Sequence, residues 1–131
     1  MKRLEGKIAL ITGAARGMGR SHAIRLAQEG AAVVATDICR DVDSASTGLA
    51  SREDLATTAS MVEEVGGSVV TVEADVRDLA ALERAAATAV ERFGGLDVVC
   101  ANAAIASFGP SWELTETAWQ DVLHWLDARL G

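Results

Sequence analysis

Apolar and polar positions follow two rhythms along this chain, one of short unbroken runs and one of helical spacing. The short runs are Ile8–Ile11, Ala32–Thr36, Ser68–Ala74 and Leu96–Ala101, each of a length and composition that suit a buried strand. Between them lie three helical patterns. The first places Ala23, Ile24, Leu26 and Ala27 on one face and ends at Gly30 as a C-terminal cap. The second opens with Ser51-Arg52-Glu53-Asp54, a capping box with Asp in its last position, continues with Leu55, Ala59, Val62 and Val65, and stops at Gly66-Gly67. The third is capped by Asp78 and carries Leu79, Leu82, Ala86, Ala89, Val90 and Phe93 as an apolar stripe ending at Gly94-Gly95. Residues Ala103 to Glu113 read as a loop holding the only proline, Pro110. A last helix beginning near Thr115 would set Trp119, Val122, Leu123, Leu126 and Leu130 along one face.

Strands and helices in strict alternation predict an α/β fold, a parallel sheet covered by helices on both faces. Right-handed crossovers with the switch point beside the first strand give the strand order 3-2-1-4. Ligands of such sheets bind at the carboxyl ends of the strands. That edge collects Gly13 to Gly19, Asp37, Asp75 and Asn102 from four separate stretches.

The chemistry of that edge starts with Gly13, Gly17 and Gly19, spaced G-x-x-x-G-x-G between the first strand and the first helix. Glycine permits a tight turn and lets backbone approach a pyrophosphate with no Cβ in the way. The N–H groups and positive dipole end of the following helix then face the phosphates. Asp37, at the tip of the second strand, stands where an acceptor for a ribose 2′-hydroxyl is expected, completing a dinucleotide-binding βαβ unit. A carboxylate there favours NAD over NADP, whose 2′-phosphate it would repel; Arg16 and Arg40 are the nearby cations that could soften the preference.

Length and composition narrow the picture. At 131 residues the chain has the length of one domain, 1–131, small for a complete enzyme of this kind. A net charge of −7 with no cluster of Lys or Arg argues against a nucleic-acid surface. No apolar stretch approaches the roughly 20 residues of a membrane helix, and residues 1–7 lack the apolar region of an export signal. The expected location is the cytoplasm. Cys39 and Cys100 match no redox or metal spacing, and no metal is expected. His22 and His124 read as helix-surface residues, and the pairs Glu63-Glu64 and Asp41-Asp43 as solvated carboxylates. The polar stretch Ile38 to Ala50 is long for a connection in an α/β unit; it is either a functional loop or a surface insertion.

Thr12-Gly13-Ala14-Ala15-Arg16-Gly17-Met18-Gly19, Asp75-Val76 after the third strand and Asn102-Ala103 after the fourth together resemble the short-chain dehydrogenase/reductase family. Lys7 to Gly13 and Gly94-Gly95-Leu96-Asp97 are also similar to it, so the resemblance covers roughly Leu4 to Val122. The loop Ile38 to Ala50 resembles that of carveol-dehydrogenase-like, mycofactocin-coupled members. The resemblance implies a Rossmann-like fold and a nicotinamide cofactor, NAD. It implies that Gly13, Arg16, Gly17, Met18, Gly19 and Ala104 are among the cofactor-binding residues. Asp37 would accept from the adenosine ribose hydroxyls with Ile38 beside the ring, Asp75 and Val76 would contact the adenine, and Asn102 with Ala103 would line the path to the nicotinamide ribose.

The chain departs from the family pattern in two places. Ala104 stands where the family usually has glycine after Asn-Ala, which puts a Cβ near the cofactor. The family's catalytic Ser and Tyr-x-x-x-Lys have no counterpart, since the sequence has no tyrosine and its two lysines are Lys2 and Lys7. From about His124 the sequence stops resembling the family, so 124–131 is expected to be an atypical tail on a fold incomplete relative to the family's. The expected function is that of an NAD-dependent oxidoreductase represented by its cofactor-binding half, with no catalytic residue of its own and no turnover alone. The alternative is a non-catalytic nucleotide-binding or dimerising module, or an inactive remnant. An exposed fourth strand and the last helix are the surfaces expected to support homo-oligomers.

Overall fold

A computed structural model describes residues 2–121 and Leu123. The elements run β1 (Ile8–Thr12), α1 (Gly17–Gln28), β2 (Ala32–Asp37), α2 (Arg52–Glu64), β3 (Val69–Glu73), α3 (Leu79–Phe93) and β4 (Val98–Cys100), followed by a 3-10 turn at Ser111–Glu113. All strand pairs are parallel and the order is β3-β2-β1-β4, as the alternation and handedness predict. The observed β4 has three residues rather than six. The stretch from Ala103 to Glu113, expected as loop throughout, ends in the 3-10 turn.

The described residues fall into two compact units. One comprises the residues up to Arg40 with Ala50–Ala104; the other comprises Asp41–Leu49 with the residues from Ile105 onward. In the first unit β1 and β2 alternate their side chains between two cores, as a period-two pleat requires. Ile11, Val33 and Ala35 pack with Ala23 and Ala27 of α1 and Leu55 and Val62 of α2. Ile8, Leu10 and Val34 pack with Ala85 and Ala89 of α3 on the other side. Helices therefore cover both faces of the sheet.

Local signals set most of the helix ends. Ser51 and Asp54 form the full reciprocal capping box of α2, and the Asp78 carboxylate accepts from the Ala80 N–H at 3.0 Å to cap α3. At the end of α1, Gly30 N donates to Ala27 O at 2.9 Å and Ala31 N to Leu26 O at 3.0 Å. Gly66 and Gly67 repeat the same double bond with Glu63 O and Val62 O, both at 2.9 Å. These are Schellman closures, and Gly30 and Gly66 take the positive φ that they demand.

Two buried faces differ from the expectation. The buried line of α3 is Ala81, Ala85 and Ala89, whereas Leu79 is 70% exposed and Val90 55% exposed. Alanines at that seam let the helix lie close on the sheet, so the larger side chains are turned to its flanks. In α2 the buried face runs Leu55, Thr58, Val62; Ala59 lies at its margin and Val65 is exposed. His22 is half-buried rather than on the surface, and its Nδ1 is enclosed without a hydrogen-bond partner. No helix of the described residues is long and apolar enough to cross a membrane.

The second unit is tied together by its own loops. Ser46 Oγ donates to Ala106 O and Ser107 Oγ to Ser44 O, both at 3.1 Å, and the Asp41 carboxylate accepts from Leu49 N at 2.7 Å. Thr115 caps the helical turn at 116–121 through Ala118 N, which donates to its Oγ1 at 3.2 Å. Ala118 is the buried residue of this turn, while Trp119 and Leu123 are exposed. Val122, Leu126 and Leu130 of the expected apolar face, His124 and the expected tail 124–131 lie outside the described residues.

Candidate functional site

The glycine turn is fastened from several sides within the first unit. Gly13 and Gly17 take left-handed φ values of 67° and 57°. Gly19 is excluded from bearing a side chain for a different reason, because a Cβ there would sit 2.0 Å from Gly13 O and 2.8 Å from Asn102 Nδ2. The turn and the start of α1 are in backbone contact at Gly19, and only glycine allows it. Over Gly17 nothing lies within 4 Å of a Cβ position, and Met18 is 69% exposed, so the turn has an open outer face.

Between the glycines, Ala14 and Ala15 are buried, and all four of their backbone polar groups are bonded from outside the turn. Ala14 N donates to Thr36 O at 2.9 Å, and Ala15 N donates to Asp37 Oδ2 at 3.0 Å. Thr58 Oγ1 donates to Ala14 O at 2.8 Å, and the Arg20 guanidinium donates to Ala15 O. Asp37, only 8% exposed, thus holds the turn from the tip of β2. Its other oxygen lies 3.4 Å from Cys39 N. An ionised carboxylate has about four acceptor positions, so these bonds leave capacity for a further donor.

On the opposite side Asn102 fastens the turn to the end of β4. Its Nδ2 donates to Thr12 O at 3.1 Å and to Gly13 O at 3.3 Å. Thr12 Oγ1 accepts from Asn102 N at 3.1 Å and from Ala103 N at 3.0 Å. A Cβ on Gly13 would meet Ala103 Cα at 2.8 Å, which is why this contact needs glycine as well. Ala104 follows, exposed.

Asp75 lies just beyond β3. Its carboxylate pairs with Arg77 at 2.8 Å and Arg40 at 3.2 Å, and accepts from Arg77 N at 2.9 Å. The Arg77 hydrogen bond first, and the surrounding cations after it, hold this carboxyl below the usual carboxylate range. Val76 is exposed and Ile38 half-buried. Cys39 adopts a left-handed φ of 55°, and burial, with the Asp37 charge next, pushes its thiol up to about 11. That thiol is protonated at neutral pH and is a poor nucleophile.

The structure thus bonds Gly13, Asn102 and Ala103 together around Thr12, fastens Asp37 to the same turn through Ala15, and packs Gly19 against Gly13 and Asn102, while Gly17 lies on the open side and Asp75 is anchored separately at the end of β3. Arg16 precedes α1 in extended backbone, and its side chain does not cap the helix. Of the three long helices α1 is the one without a side-chain cap. Thr58 and Arg20, which hold two of the turn's carbonyls, were not foreseen, since nothing local marks residues 38 positions apart as partners.

A family model described as short chain dehydrogenase matches residues 7–125. The chain belongs to the short chain dehydrogenase family. An uncharacterized NAD-dependent oxidoreductase of Mycobacterium tuberculosis is 50% identical over 121 residues, covering 92% of this chain and 44% of the relative. (-)-trans-Carveol dehydrogenase of Rhodococcus erythropolis is 45% identical over 124 residues, 94% of this chain and 45% of the relative. Among solved structures, carveol dehydrogenase from Mycobacterium avium in complex with NAD matches with a TM-score of 0.85 at 44% identity, over 92% of this chain and 44% of that one. The chain therefore spans less than half the length of these relatives. The similarity to carveol dehydrogenases agrees with the resemblance of the Ile38 to Ala50 loop.

Proposed function

We propose that this chain holds NAD, as the cofactor-binding portion of a cytoplasmic oxidoreductase that passes a hydride between the nicotinamide and an alcohol or carbonyl. The observation that carries the reading is the fastening of an open-faced glycine turn to both neighbouring strands, by Asp37 on one side and Asn102 on the other. A turn so held presents rigid N–H groups at a helix start that no side chain caps, the arrangement a pyrophosphate needs. Relatives described as NAD-dependent and a neighbour solved with NAD support the same cofactor. In this reading Gly13, Arg16, Gly17, Met18 and Gly19 surround the pyrophosphate. Asp37 with Ile38 meets the adenosine ribose, Asp75 and Val76 the adenine, and Asn102, Ala103 and Ala104 the nicotinamide ribose. NAD itself supplies the hydride chemistry; the chain's part is to bind and orient it. Two unpaired thiols, Cys39 and Cys100, suit a reducing compartment.

Calorimetric titration of the chain with NAD and with NADP tests the reading. NAD is expected to bind and NADP to bind more weakly, because the Asp37 carboxylate opposes a 2′-phosphate. Absence of NAD binding, or tighter binding of NADP, would sink it.

A second reading, a nucleotide-binding module without turnover, draws on the sequence having no tyrosine to take a hydroxyl proton. Under that reading the chain binds NAD but reduces none of it with alcohols, which a spectrophotometric assay of NADH formation would read directly. The 59% exposure of Val99 on β4, paired on one side to β1, favours self-association of such a chain. Sedimentation over a range of concentrations would expose it, and a monomer throughout would refute it.

A further inference from the structure

The carbonyls of Ala14 and Ala15 face away from the open side of the glycine turn and are met by side chains of two helices. Thr58 of α2 is fully buried, with its Oγ1 2.8 Å from Ala14 O and 3.2 Å from Ala15 O. A hydroxyl has one proton, and the shorter distance assigns it to Ala14 O. The same oxygen accepts from Arg20 Nε at 2.9 Å. Arg20 of α1 then donates through its second terminal nitrogen to Ala15 O and, at 2.9 Å, to Asp54 O. Asp54 is the capping-box residue of α2, so the pair ties the start of α2 to the underside of the turn.

We propose that Thr58 and Arg20 are positioning residues for a dinucleotide's pyrophosphate, acting by fixing the peptide planes of Ala14 and Ala15. This rests on the reading of the chain as an NAD-binding domain. A peptide plane has two ends, and holding a carbonyl beneath the turn directs the N–H of the next residue. With Ala14 O held by Thr58, Ala15 N is set toward Asp37; with Ala15 O held by Arg20, Arg16 N is set at the entrance to α1. The shape of the turn, and with it the start of α1, is then fixed before the ligand arrives, and binding does not have to order it. Neither residue touches the ligand in this scheme.

The test compares Thr58→Val, which keeps the shape and removes the hydroxyl, with Thr58→Ser, which keeps the hydroxyl. NAD affinity is read by calorimetry, and adenine affinity by ligand-observed NMR, because adenine has neither the phosphates that meet the turn nor the ribose that meets Asp37. The expected result is a loss of about tenfold in NAD affinity for Thr58→Val, the size of one buried hydrogen bond. Adenine should lose nothing comparable, and Thr58→Ser should bind NAD as the unaltered chain does. Equal losses for NAD and adenine would mean a merely structural role and would overturn the proposal, as would unchanged NAD binding in Thr58→Val. If Thr58→Val does not fold, Arg20→Gln takes its place with the same expectation and the same refutation. An unaltered chain that binds no NAD would overturn instead the reading on which this one rests.

Discussion

Gly17 and Gly19 sit two residues apart and are glycine for unlike reasons, which gives a sharp contrast at the level of single residues. At Gly17 the constraint is conformational: φ is 57° and the space beyond is empty. Gly17→Ala should therefore fold, at a cost of about 1–2 kcal/mol from left-handed backbone. At Gly19 the constraint is contact, a Cβ falling 2.0 Å from Gly13 O and 2.7 Å from Gly13 C. Both of those atoms are backbone and cannot step aside, so Gly19→Ala must part the turn from α1. Urea unfolding and NAD titration of the two variants should show Gly17→Ala mildly weakened and Gly19→Ala without measurable NAD binding. Comparable behaviour of the two would refute this division.

Among the elements, α3 carries the most instructive seam. Its contact line is Ala81, Ala85 and Ala89, and Ala85 and Ala89 meet Ile8, Leu10 and Val34 of the sheet. Ala85→Leu should cost about 1–3 kcal/mol by overpacking, while Leu79→Ala on the exposed flank should stay within about 0.5 kcal/mol. Chemical denaturation measures both, and the reverse ranking would show the seam to be misassigned. This seam was also the least legible part of the fold in sequence. Hydrophobicity points to the largest side chains, Leu79 and Val90, whereas close packing on a sheet selects the smallest. Helix ends were readable because Ser51, Asp54, Asp78, Gly30 and Gly66 act on backbone within a few residues of themselves. The glycine turn with Asp37 and Asn102 was readable for a related reason: each closes a strand at the same edge of a parallel sheet. Thr58 and Arg20 were not, because their partners are set by how α1 and α2 pack, which no local pattern encodes.

For the molecule as a whole, the charge pattern sets how it meets acid. Asp75 is held low by Arg77, Asp97 by the Ile8 N–H, Asp54 by the Ser51 N–H, Glu73 by Arg52 and Glu29 by Arg3. Each of these folded-state carboxyls gives up its proton more readily than its unfolded counterpart. The stability they contribute is complete above the ordinary carboxylate range near pH ~4 and is lost as pH falls through the depressed folded values. Melting temperature followed from neutral pH downward should therefore hold and then fall in that acid window, by a modest amount for each of these solvent-screened groups, and Asp75→Asn should flatten part of the fall. A melting temperature rising into acid would contradict the assignment. Asp37 carries a different consequence, one for the history and the redesign of cofactor choice. Its Oδ2 secures Ala15 N at 3.0 Å, so the group proposed to select the cofactor is also a fastening of the glycine turn. On that proposal, replacing Asp37 alone to admit a 2′-phosphate would loosen the turn in the same step. A lineage or an engineer moving this scaffold from NAD to NADP must first find Ala15 another acceptor, and the order of the two substitutions decides whether the intermediate binds anything at all.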